Sequence, residues 1–154
     1  MFIDVDNGGK TYEVTQENIQ NILNHFNVAY VIYLTIRHGV ESGERLRLAV
    51  LLDKPLEQDD YVKVCLVLVV GMGLTADLTG VTQNFKQTQG IYVKTPQNEH
   101  IKPIVAQNKP LNTVIFLDMY DQDSERYESY NKQSSKPYHV ASNGVDVPDW
   151  EITF

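Results

Sequence analysis

The sequence predicts an α+β fold, a mixed β-sheet with helices packed against it. Three observations point there. Residues 2–6, 29–35 and 45–52 are short runs rich in β-branched and aromatic side chains. Ile19, Ile22, Leu23 and Phe26 recur at i, i+3, i+4 and i+7, one apolar helix face. A long apolar run from Tyr61 to Val70 is closed by Gly71 and Gly73. Strands interleaved with helices build a sheet covered by helices.

The first run, Phe2-Ile3-Asp4-Val5-Asp6, reads as a strand anchored by Phe2, Ile3 and Val5. Alternate side chains of a strand share a face, which puts Asp4 and Asp6 together. Thr15-Gln16-Glu17-Asn18 then opens a helix with Thr15 as N-cap, and Asn27 is its expected stop. Residues 29–35 form the second strand and 38–43 a loop. Residues 45–52 return as a third strand, hairpin-paired with the second, with Arg45 and Arg47 on one face. Pro55 ends that strand, and Glu57 to Asp60 supply acids suited to a first helical turn. Periodicity alone cannot separate helix from buried strand over 61–70. The acidic start, the length and the glycine stop favour helix.

Asp77 follows in a loop or short strand. Residues 90–93 and 101–106 are expected as strands around the turn Pro96-Gln97-Asn98, and 113–117 as a last strand after Asn108-Lys109-Pro110. The order is β-α-β-β-α-β followed by further β. A domain over 1–118 is expected, then a polar tail or linker over 119–154. Its segment 145–154, with Trp150, Ile152 and Phe154, is expected to dock on the body.

With 154 residues the chain suits one domain, and no apolar run reaches membrane-spanning length. The single cysteine, Cys65, excludes an internal disulfide and, with no signal peptide ahead of the first strand, suggests a reducing, cytoplasmic setting. A net charge of −7 argues against broad, non-specific adhesion to nucleic acid, so any basic surface must be local.

Two like charges on one strand face are unfavourable unless a cation or strong donors lie between them. Paired carboxylates are hard oxygen ligands for Mg²⁺ or Mn²⁺. Asp6 within Asp6-Asn7-Gly8-Gly9 can equally be read as turn chemistry. His38 past the second strand, Arg45 and Arg47 on the third, and Asp77 after the second helix add phosphate-gripping and metal-holding groups. Taken singly, each also has a plain reading: a surface histidine, arginines closed by salt bridges to Glu41, Glu44 or Asp53, a turn acid. Neither a phosphate-binding Gly-x-x-x-x-Gly-Lys loop nor a dinucleotide Gly-x-Gly-x-x-Gly is present. Cys65 sits among valines and leucines, where a thiolate is disfavoured.

In order and context these motifs resemble the archaeo-eukaryotic primase superfamily, most of all the primase-polymerase domains of phage, plasmid and mobile-element replication proteins. The likeness runs over about residues 1–118. It rests on Ile3-Asp4-Val5-Asp6, Tyr33-Leu34-Thr35-Ile36-Arg37-His38, Arg45-Leu46-Arg47-Leu48, Leu52-Asp53-Lys54-Pro55-Leu56 with Tyr61, Asp77, and Gln89-Gly90-Ile91-Tyr92 through Pro96. The resemblance implies an RRM-like sheet, truncated at its N-terminus, and template-dependent primer synthesis in replication of a mobile element. Asp4, Asp6 and Asp77 would be catalytic and hold Mg²⁺ or Mn²⁺. His38, Arg45 and Arg47 would bind the nucleotide, with Arg37 standing where the pattern has a small hydroxyl residue. The implied partners are nucleoside triphosphates, a single-stranded DNA template and a replicative helicase or other replication protein. A catalytically silent DNA-binding or protein-docking module, and a phosphohydrolase or nuclease using the same acids, are the alternatives.

Overall fold

The computed structural model describes residues 1–6, 15–40, 43–73 and 92–134. Strands β1 (Phe2–Asp6), β2 (Tyr30–Leu34), β3 (Arg45–Val50) and β4 (Ile104–Ala106) form one sheet in the order β1-β3-β2-β4. All three ladders are antiparallel. The expected mixed sheet is therefore corrected. A helical crossover returns the chain in its original direction, so β1 and β2 run alike, but β3 is inserted between them. In the same way β2 separates β3 from β4. Parallel pairing is confined, among the described residues, to two isolated bridges that Lys109 and Leu111 make with Val28 and Leu52.

Helix α1 (Gln16–His25) starts where its sequence dictates. The Thr15 hydroxyl accepts from the Asn18 amide at 3.2 Å, and the Asn18 side chain accepts from the Thr15 amide at 3.2 Å, a reciprocal capping box. It ends at Phe26, and Asn27 turns the chain away with φ +54°, a conformation asparagine tolerates. Ile19 and Leu23 are buried beneath it. Helix α2 (Gln58–Met72) ends at Gly73 in the left-handed region, φ +62°, so Gly73 and not Gly71 is the stop.

Inward positions of the strands alternate as the pleat requires. Ile3 and Val5, Tyr30, Ile32 and Leu34, and Leu46, Leu48 and Val50 share one core cluster with α1 and α2. The Tyr30 hydroxyl donates to Asn24 on α1 at 2.9 Å, satisfying the one polar atom this row buries. In α2, every residue from Val64 to Val69 is buried, which a helix lying on a sheet with its back to water could not achieve.

The back of α2 is covered by α3 (Thr113–Gln122) and α4 (Ser124–Ser134), and here the sequence expectation is overturned. Residues 113–117 are helix, not strand. Asn112 caps it, its side-chain oxygen accepting from the amides of Val114 and Ile115 at 3.1 and 3.3 Å. Helix α3 crosses the expected division at 118, and α4 occupies much of what reads as a polar linker. Thr113, Phe116 and Tyr120 point inward, followed by Tyr127, whose ring stacks on Tyr120 at 5.5 Å. The expected strand over 101–106 shrinks to Ile104–Ala106 behind Pro103, which has no amide to give a ladder. Tyr92 and Val93 are not in a strand, and the rest of that expected element lies outside the described residues. Among the described residues no helix is long and apolar enough to cross a membrane.

The outer layer is tied to β3 through Asp53. The Thr113 hydroxyl donates to its carboxylate at 2.7 Å and the Thr113 amide at 3.3 Å, and these bonds hold the Asp53 pKa below its ordinary value of 3.8. A depressed carboxylate stabilises the fold above the unfolded pKa and ceases to as pH falls through the folded one. Thermal melts of wild type and Asp53→Asn should therefore differ at neutral pH and converge at acid pH well below 3.8. Phe116→Ala, which empties part of the α2–α3 seam, should cost about 3–5 kcal/mol in urea unfolding.

Candidate functional site

The sheet face turned away from α1 and α2 carries the odd positions of β2 and β3 and the even positions of β1. Register sorts them into rows. Phe2, Ala49, Val31 and Val105 lie side by side across all four strands. Asp4, Arg47 and Tyr33 form the next row, and position 6 pairs with Arg45 beyond it. One end of this face is thus apolar and the other charged.

Arg47 is the centre of the charged end. It is only 7% exposed, and its guanidinium grips Asp4 with both prongs, Nε to Oδ1 at 2.5 Å and Nη2 to Oδ2 at 3.1 Å. Burial pulls the Arg47 pKa down, but the Asp4 hydrogen bond and charge, with Tyr33, more than offset it and the net shift is upward. The pair is fork-to-carboxylate, the strongest geometry available to an arginine. Tyr33 meets Tyr92 edge to face at 6.2 Å, bringing the 92–101 loop to the margin of the face. Buried Asn98 holds that loop together, accepting from the Thr95 amide at 2.8 Å and donating to the Val93 carbonyl at 3.1 Å.

His38 stands at the same end. The Thr35 amide donates to the Arg45 carbonyl at 2.9 Å, and the His38 amide to the Thr35 carbonyl at 3.1 Å, so the histidine turn closes directly on the end of the β2–β3 ladder. Gly39 makes the turn with φ +78°, and a β-carbon there would come within 2.7 Å of Gln97 Cβ. At this hairpin end the buried side-chain atoms Thr35 Oγ1, His38 Nδ1 and Glu44 Oε2 have no hydrogen-bond partner among the described residues. Orphaned buried polar atoms are costly and recur at ligand sites.

The site residues expected from the sequence are thus brought together in part. Asp4, Arg45 and Arg47 share the face, and His38 lies at its end. Asp6 is placed by its backbone register with Arg45. Arg37 lies in the half-buried turn before His38. Asp77 lies outside the described residues. Among the described residues no three His, Cys, Asp or Glu side chains converge as metal ligands. Asp4, already shared with Arg47, does not fit a divalent ion by itself. Burial pushes the Cys65 thiol up to about 12, which agrees with a packing role.

Two parts of this region carry no signal legible in the residue order. Tyr92 reaches Tyr33 only through a loop, and the orphaned Thr35 and Glu44 atoms depend on burial, which no spacing reveals. Phe2, expected to anchor β1 with Ile3 and Val5, instead shares the face of Asp4 and is 42% exposed, because strand alternation sets positions 2 and 4 on one side. Removing the carboxylate by Asp4→Ala strands a nearly buried guanidinium. With Asp4 about one-third exposed, the expected loss is about 2–3 kcal/mol in chemical denaturation, and Arg47→Met should lose less. Comparison with protein-family models, curated proteins and solved structures finds no match.

Proposed function

We propose that this chain is a primase-polymerase-like domain that transfers nucleotidyl groups from nucleoside triphosphates on a single-stranded DNA template, in replication of a mobile element. One observation carries the reading: a single sheet face sets Asp4, Arg45 and Arg47 in adjacent register beside His38 Nδ1 and Thr35 Oγ1, buried atoms with no hydrogen-bond partner among the described residues. Arginine on a rigid strand matches phosphate oxygens in planar geometry, and Asp4 holds Arg47 in place before any ligand arrives. In this reading Arg45 and Arg47 orient the triphosphate, while His38 and Thr35 contact its oxygens at the hairpin end. Arg37, in the adjoining turn, adds positive charge there.

Mg²⁺ or Mn²⁺, held by Asp4, Asp6 and Asp77, would neutralise phosphate charge and activate the attacking hydroxyl. The order β1-β3-β2 among the described strands is compatible with the RRM-like sheet this reading implies, and β4 flanks β2.

A second reading, a catalytically silent DNA-binding or protein-docking module of a replication complex, is favoured by the engagement of both Asp4 oxygens with Arg47. Dinucleotide formation from NTPs or dNTPs on single-stranded template, with Mn²⁺ or Mg²⁺, separates the two. Because Asp4→Ala also disturbs Arg47, the informative variants are Asp77→Asn and His38→Ala. Asp77→Asn should abolish product, and His38→Ala should slow its formation about a hundredfold, both with unchanged melting temperature. DNA binding that persists in EDTA with no product from wild type would establish the silent module instead.

A further inference from the structure

The apolar end of the sheet face away from α1 and α2 forms a groove of about 470 Å³ lined by Phe2, Val31, Ala49, Leu51, Val105 and Asn108. That volume is in the range of small-ligand sites. Phe2 and Val105 are 42% and 60% exposed, more than apolar side chains on a sheet face need be. Ala49 is the smallest residue of its row, flanked by the Phe2 ring and Val31, so the floor is shallow and flat.

Resting on the triphosphate reading above, we propose that this groove is a nucleobase subsite, so that a nucleotide lies along β3 with its base over Ala49 and its phosphates towards Arg45 and His38. Two physical arguments select this occupant. Ala49, Arg47 and Arg45 project from one face of one strand, and four residues of strand span about 13 Å. That length suits an extended nucleoside triphosphate, with the sugar passing the Asp4–Arg47 pair. The groove itself is lined mainly by aromatic and aliphatic side chains and, among the described residues, by no charged one. Register sets its Phe2–Ala49 row one step from the Asp4–Arg47 row and two from Arg45, the order that a planar heteroaromatic ring bearing a polyanion requires. A wholly apolar ligand would make no use of the arginines, and a free polyphosphate none of the groove.

The full chain is titrated calorimetrically with ATP and, separately, with inorganic tripolyphosphate, with and without Mg²⁺. ATP should bind at least about tenfold tighter than tripolyphosphate. Ala49→Leu, which fills the floor, and Phe2→Ala, which removes the ring, should erase that advantage while leaving tripolyphosphate affinity unchanged. Phe2 is half-exposed, so its truncation keeps the test usable if Ala49→Leu fails to fold. Equal affinity of the two ligands for wild type, or ATP binding indifferent to both substitutions, overturns the base subsite and leaves the triphosphate reading standing. Failure of wild type to bind either ligand overturns both.

Discussion

Helix α2 governs the architecture. Six consecutive buried residues, Val64 to Val69, wrap its whole circumference in side chains that cannot face water. At about 25 cal/mol per Å² of apolar surface, exposing one side of such a helix would cost several kcal/mol. The sheet covers one side, and the α3–α4 pair covers the other. A three-layer molecule follows: sheet, central helix, outer hairpin of helices. The sheet face away from α1 and α2 carries charged and aromatic side chains, among them Arg47, only 7% exposed, and Tyr33 against Tyr92.

The same helix explains what could be read from the residues and what could not. Helix α1 carries a capping box and a clean apolar face, and β2 and β3 alternate, so local chemistry identifies all three. Residues 113–117, Thr-Val-Ile-Phe-Leu, have strand propensity, and tertiary packing overrides it. The helical signal was present as Asn112 at the cap and inward Thr113, Phe116 and Tyr120, but it extends past residue 118 into polar sequence. An all-round apolar α2 was itself a hint that a second covering layer exists. Strand direction was less legible, because whether β3 inserts between β1 and β2 is decided by long-range pairing.

For the candidate site, alternation along β3 was enough to pair Arg45 with Arg47, and β1 register then supplied Asp4. Proximity of an acid pair suggested a metal, but the nearest cation to Asp4 is a guanidinium. Its Coulombic attraction is strengthened by burial, and a ligand arriving at this face meets a pre-formed dipole, not an isolated negative charge.

Gly39 has a further consequence. Its positive φ and the 2.7 Å approach of an added β-carbon to Gln97 leave no room for any side chain, so the hairpin turn and the 92–101 loop interlock like meshed teeth. Neither can be lengthened or re-sculpted alone without dislodging the other. Sequence drift at one of these two surface connections is therefore bound to compensating drift at the other, although more than fifty positions separate them along the chain.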